Sequence, residues 1–352
     1  MNDYGADYND LALVIAWPEQ TARGDERWMA FFKRLGIVKN LNFKVGHAAI
    51  ILIHRQTGKL TYFDFGRYVT PRGYGRARSA HTDPRLLFKQ YAQIDPISGE
   101  ITNLTDILRE LKALDEATHG AKSIYFSIAR HLSYQRGCAY AQSIIDQGVI
   151  PYGAVAPKNN SCSRYVAQIL LKAFYPKHKA RRGIYWPESI KASPMSNVVN
   201  ANKERIIYCF EHHVLQQLRM TRYQSLYFQI SLLCHNIFPQ KAAFLPSDRQ
   251  SGYLIEPIRP TTVPAHAQWL GGIGEGVWYA LRLESANTYQ VTRYNSKGQV
   301  DYHIQCGSDE QIDPKAGFQF TYHCQYGHYR LRSPQREVEL KALKKGQLQF
   351  SE

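Results

Sequence analysis

NNSCSRYVAQILLKAF, residues 159–174, puts a cysteine where a polar run gives way to an apolar helical pattern. Asn159, Asn160 and Ser161 are residue types that cap helix N-termini, and Tyr165, Val166, Ile169, Leu170 and Ala173 recur on one face behind them. The spacing predicts a helix with Cys162 in its first turn. Unpaired backbone N–H groups and the positive end of the helix dipole favour the thiolate there, and the N–H of Cys162 itself is placed to help hold an oxyanion. A free cysteine used only for packing behaves as a small buried hydrophobe within an apolar pattern, as Cys138, Cys209 and Cys234 do in their segments.

A cysteine nucleophile needs a base. Of the 13 histidines, His47 stands out, because Gly46 and the apolar run AAIILI bracket it and a histidine at the mouth of a buried strand is held rigidly. VGHAAIILIHRQTGKLTYFDFGRY, residues 45–68, reads as a hairpin turning near Thr57-Gly58. Centred there, the hairpin pairs His47 with Tyr68 and leaves Asp64 on the same face but about four residues away, roughly 13 Å along the strand. Both Asp64 and Tyr68 stay open as the residue that orients the imidazole.

These two motifs, the Gly-His strand and the Cys-Ser helix start, resemble the papain-like cysteine hydrolases of the NlpC/P60 type. The order, His47 before Cys162, is that of their circularly permuted form. The resemblance covers roughly residues 8 to 205. It implies an α+β fold, a papain-like antiparallel sheet with helices, with Cys162 as nucleophile, His47 as base and Asp64 or Tyr68 as the third polar residue. It also implies thiolate attack on a carbonyl, an acyl-enzyme, and release to water or an amine, on a cell-wall peptide or an acyl amide, with no metal and no organic cofactor.

The flanking segments predict the rest. LALVIAWPE (11–19) is a strand stopped by Pro18, and TARGDERWMAFFKRLG then places Trp28, Phe31, Phe32 and Leu35 on one helical face. ITNLTDILRELKALDEAT and SYQRGCAYAQSIIDQG have helical spacing, with SIYFSIAR a strand between them. EHHVLQQLRMTRYQSLYFQISLLCHNIF reads as helix, and adjacent His212 and His213 would then point about 100° apart, which is wrong for chelating one ion. After the Pro-rich stretch 255–264, the runs VWYALRLES, TYQVTRYN, QVDYHIQC, FQFTYHC and HYRLR alternate as strands do. The expected organisation is a catalytic domain over residues 1–205, a helical extension and linker over 206–258, and a small antiparallel all-β domain over 259–352.

Composition is ordinary for a globular chain of 352 residues, 44% hydrophobic and 21% charged. The net charge of +15 favours anionic or peptide-like partners. The loop after the hairpin carries Arg67, Arg72, Arg76 and Arg78, expected to line the cleft and attract an anionic substrate. The six cysteines show no CxxC pair, which argues for a reducing compartment and against a structural zinc site. No signal peptide, no apolar run of membrane-spanning length and no nucleic-acid-binding motif is visible, so a cytoplasmic location is expected, with signal-independent export left open. The competing reading is a non-catalytic binder of an anionic polymer or membrane surface on the same scaffold.

Overall fold

The computed structural model describes residues 6–24, 27–153, 156, 158–312, 317–334 and 336–343. In chain order, the first part contains β1 (Asp10–Trp17), β2 (Thr21–Arg23), α1 (Arg27–Arg34), β3 (Asn42–Lys44), β4 (His47–Ile53), β5 (Leu60–Gly66) and β6 (Tyr74–Arg78). It continues through α2 (Leu104–Ala113), α3 (Asp115–Thr118), β7 (Ile124–Leu132), α4 (Tyr134–Ile145), β8 (Val149–Pro151), α5 (Cys162–Ala173), α6 (Ala180–Tyr185) and α7 (Pro194–Ala201). Then come β9 (Ile206–Glu211), β10 (Val214–Arg219), α8 (Arg222–Leu233) and α9 (Pro239–Ala242).

Eight strands form one antiparallel sheet in the order β10-β9-β7-β1-β4-β5-β6-β8. Both faces are covered. Ala12, Val14, Ala48, Ile50, Leu52, Phe63 and Phe65 meet Tyr165, Val166, Ile169 and Leu170 of α5 together with Val198 and Val199 of α7. Leu11, Leu13, Ile15, Ala49, Ile51 and Tyr62 meet Ile107, Leu108 and Leu111 of α2. A sheet buried on both sides needs apolar residues at consecutive positions, which is why β1 and β4 are continuous hydrophobic runs rather than alternating ones.

The hairpin of β4 and β5 is present, with Gly58 at φ +69° in its turn. Its register differs from the expected one. Ala49 faces Asp64 and Ile53 faces Leu60, so position 66, not 68, lies opposite His47. The turn is closed by His54 and Lys59, one residue earlier than a turn centred between Thr57 and Gly58.

The helix expected from residue 211 onward begins only at Arg222. Residues 206–219 form instead the hairpin of β9 and β10, turning at His212 and His213, both with positive φ (48° and 62°), and β9 pairs with β7. The segment therefore extends the first sheet and is not part of a helical linker. The histidine pair sits at the tip of a hairpin.

The last part folds as an all-β unit of seven strands: β11 (Gln268–Leu270), β12 (Val277–Ser285), β13 (Thr288–Tyr294), β14 (Val300–Gly307), β15 (Gln319–Gln325), β16 (His328–Arg332) and β17 (Glu337–Ala342). Their order is β11-β12-β13-β14-β17-β16-β15, and the Gln268 side chain ties the two ends together by bonding both Phe318 O and Phe320 N–H, which leaves a nearly closed barrel. Tyr279, Tyr289, Val291, Ile304, Tyr329 and Leu340 fill it. The five expected strand runs are all there, and two further strands, β11 and β17, complete the ring.

Candidate active site

Ser161 is extended (φ −145°, ψ 166°) and its hydroxyl accepts the Arg164 N–H, so α5 begins with Cys162 as its first residue. The apolar face behind Cys162 is fully buried on the sheet and fixes where the helix start points. His47 is the first residue of β4. Gly46 before it has φ +75°, its N–H donates to Gln20 O at 2.9 Å, and a Cβ there would stand 3.0 Å from Pro18 Cα and Trp17 O. Only glycine permits that approach. Trp17 pairs with His47 across β1 and β4, and their rings stack at 5.6 Å and 12°, so the imidazole is held on one side by an indole.

The fold brings Cys162, His47, Asp64 and Tyr68 together. The Cys162 thiol lies 3.7 Å from the Ser163 hydroxyl, and it and the His47 imidazole shift each other's proton affinity. His47 Nε2 lies 3.1 Å from the Tyr68 hydroxyl and 3.4 Å from Asp64 Oδ2. With Ala49 opposite Asp64, the carboxylate is the diagonal neighbour of His47 on the same face, close enough for the side chains to meet. Tyr68 lies beyond the end of β5, and its ring folds back over Gly66, where a Cβ would come within 2.2 Å of it.

Asp64 is wholly buried and its two oxygens are fully engaged. Arg78 grips them in two bonds, Nε to Oδ1 at 3.0 Å and Nη2 to Oδ2 at 2.7 Å, while the Tyr62 and Tyr68 hydroxyls donate to Oδ2 at 3.1 and 3.3 Å. Burial by itself would raise the Asp64 pKa, but Arg78 and then His47 outweigh it and hold the carboxyl well below the usual carboxylate range. Burial would likewise keep His47 neutral. Its bond to Asp64 and its interaction with Cys162 prevail and lift the imidazole to about 9. Burial also works against a Cys162 thiolate, and His47 overrides it, lowering the thiol from its ordinary 9.0. Each shift favours a proton on the imidazole and a negative sulfur.

The four arginines expected to bind substrate separate into different roles. Arg78 is buried, clamped on Asp64, bonded to Asp83 Oδ2 at 3.3 Å and Ala117 O at 3.0 Å, and its guanidinium lies 3.6 Å over the Tyr68 ring. Arg76 donates to the carbonyls of Val69, Tyr322 and Cys324 and so joins the sheet to the barrel. Internal acceptors occupy the Arg78 guanidinium, whereas Arg76 spends Nη1 and Nη2 on carbonyls and keeps a buried Nε without a hydrogen-bond partner. Arg67 donates to Arg23 O at 2.9 Å and sits 4.8 Å over the Tyr152 ring. Arg72 is exposed.

Sequence reasoning missed the clamp. The register pairs Asp64 directly with Arg78 across β5 and β6, a non-local partnership that local pattern does not display. It also missed His119, left-handed at φ 51° and stacked on Tyr68 at 4.6 Å, whose pKa falls to about 3 chiefly through burial. Among the described residues no group of three or more His, Cys, Asp or Glu is arranged to hold a metal ion, and no helix is long and apolar enough to cross a membrane.

Residues 12–179 match the model of a family described as type VI secretion system effector TseH-like, and residues 267–343 match the DUF6695 C-terminal domain. Among solved structures the chain is similar to the crystal structure of the type VI secretion system effector TseH, at 16% identity and a TM-score of 0.41, over 60% of this chain and 99% of that one. The comparison with curated proteins gives no match.

Proposed function

We propose that this chain is a cysteine-dependent hydrolase of the amidase or peptidase type, a circularly permuted papain-like domain carrying a C-terminal β barrel and serving as a TseH-like secreted effector. The observation that carries the catalytic part is the buried run of side chains from Cys162 through His47 to Asp64, in which the thiol is lowered while the imidazole is raised to about 9. A structural cysteine buried among apolar groups would be shifted the other way, as Cys306 and Cys324 are, both pushed up to about 12 by burial. The effector part rests on the family match over residues 12–179.

In this reading the Cys162 thiolate attacks the carbonyl carbon and a C–S bond forms. The oxyanion meets the N–H groups at the start of α5, Cys162 N–H among them. The protonated His47 gives its proton to the leaving amine as the C–N bond breaks. Neutral His47 then takes a proton from water, which attacks the thioester, and the acid leaves as the thiolate and imidazolium are restored. Asp64, locked by Arg78, keeps the ring in line and favours its cationic form.

Alkylation tests the reading. Cys162 in the folded chain is expected to react with iodoacetamide at neutral pH faster than a model thiol, and His47→Ala is expected to remove that advantage, read by mass spectrometry of the modified peptide. Labelling no faster than the model thiol, or indifferent to His47, would favour the non-catalytic binder instead. A panel of cell-wall peptides and acyl amides then identifies the bond cleaved, with Cys162→Ala as the blank.

A further inference from the structure

The barrel does more than sit beside the candidate site. Its turn GGIGEG, residues 271–276, lies along the segment that leaves β5. Gly274 N–H donates to Arg67 O at 2.9 Å, Val69 N–H donates to Glu275 O at 3.0 Å, and Tyr68 and Glu275 form a parallel bridge. The approach needs glycine, because a Cβ on Gly272 would stand 2.9 Å from both Arg67 O and Val69 N. Val69 has φ +46°, a conformation costly for a β-branched residue, and its side chain packs into the barrel core. The barrel thus holds in place a strained residue immediately after Tyr68.

The Glu275 side chain completes a buried charge cluster. It meets Arg293 and Arg85 at 2.9 Å each and Arg78 at 3.9 Å, and Arg85 in turn reaches Asp83 at 2.6 Å, the carboxylate that also holds Arg78. Arg293 is balanced on its other side by Asp301 at 2.6 Å. Without Glu275, three neighbouring guanidiniums would lose a shared counter-charge and repel one another. Arg78, the one that carries Asp64, would feel that imbalance through Asp83, the carboxylate it shares with Arg85, as well as through its own 3.9 Å contact.

We propose that Glu275 is a positioning residue for the Cys162, His47 and Asp64 centre, holding Arg78 by its side chain and Tyr68 by its backbone, so that the C-terminal barrel is a structural part of the catalytic site. The inference rests on the cysteine hydrolase reading, and its test is arranged so that the two fail separately.

In the full chain, Glu275→Gln is expected to slow alkylation of Cys162 by roughly two- to thirtyfold, with Glu275→Asp restoring most of the rate. The second measurement does not need a reactive cysteine. In a Cys162→Ala background, the NMR titration midpoint of the His47 imidazole is expected to fall by roughly 0.5 to 1.5 pH units on adding Glu275→Gln, and to recover with Asp. An unmoved His47 midpoint overturns the proposal, whatever happens to the melting temperature or the labelling rate. Slow labelling of the parent chain would refute the hydrolase reading and leave the midpoint to judge Glu275.

Discussion

Replacing Arg78 with methionine keeps much of the side chain's apolar volume and removes the guanidinium from a place where it is 3% exposed. Asp64 would keep the Tyr62 and Tyr68 hydroxyls and His47 but lose both of its shortest bonds, at 3.0 and 2.7 Å, and Asp83 would lose one of its cations. Removing one partner from a buried ion pair costs roughly 3 to 5 kcal/mol, because an uncompensated charge stays in a poor solvent for it. At roughly 2 °C per kcal/mol for a chain of this size, the first melting transition should fall by about 6 to 10 °C at pH 7. The pH dependence identifies the cause. In the parent the Asp64 pKa is depressed, so its stabilisation is present above the ordinary carboxylate pKa and is lost only as pH falls through the lower folded value. In Arg78→Met the folded pKa rises, so the carboxyl takes up a proton at milder acidity and the penalty is relieved. The gap between the two melting temperatures should therefore narrow from pH 7 towards pH 4, measured by calorimetry or far-UV circular dichroism. A fall of less than about 2 °C, or a gap that stays constant with pH, would refute the assignment of Arg78 as the counter-charge of Asp64.

Two further outcomes follow from the same geometry. The imidazole raised to about 9 implies that hydrolysis by Cys162 holds through neutral pH and falls as pH rises through about 9, when His47 loses the proton the leaving group needs; a profile still climbing at pH 10 would contradict it. Tyr68→Phe removes the hydroxyl that lies 3.1 Å from His47 Nε2 and donates to Asp64 while leaving the ring under Arg78, so turnover should drop roughly fivefold, about 1 kcal/mol, with KM little changed.

What the sequence made legible was local. The start of α5 could be read from Ser161 and the apolar stripe behind it, because a cap and a helix face are both encoded within a few residues. His47 could be read from the glycine before it and the unbroken strand after it. The hairpin itself was legible, but its register was not: nothing in HRQTGK distinguishes a turn centred one residue earlier, and that single step brings Asp64 from a remote position to the diagonal neighbour of His47. The turn at His212 and His213 was hidden because the usual Asn-Gly signal is missing, so the run from Glu211 onward, whose first part is β10 paired with β9, looked helical. Arg78 read as one of four arginines of a Gly-rich loop lining the cleft for an anionic substrate. Its partner is fixed only by strand pairing, and Glu275, 211 residues from Asp64, only by the docking of the barrel.

Arg76 and Arg78 leave the same side of β6, one grasping carbonyls of the barrel and the other the carboxylate beneath His47. A single short strand thus wires the joint between the two halves to the reactive thiol. Gentle heating that loosens the joint should silence the protein while most of its secondary structure is still intact.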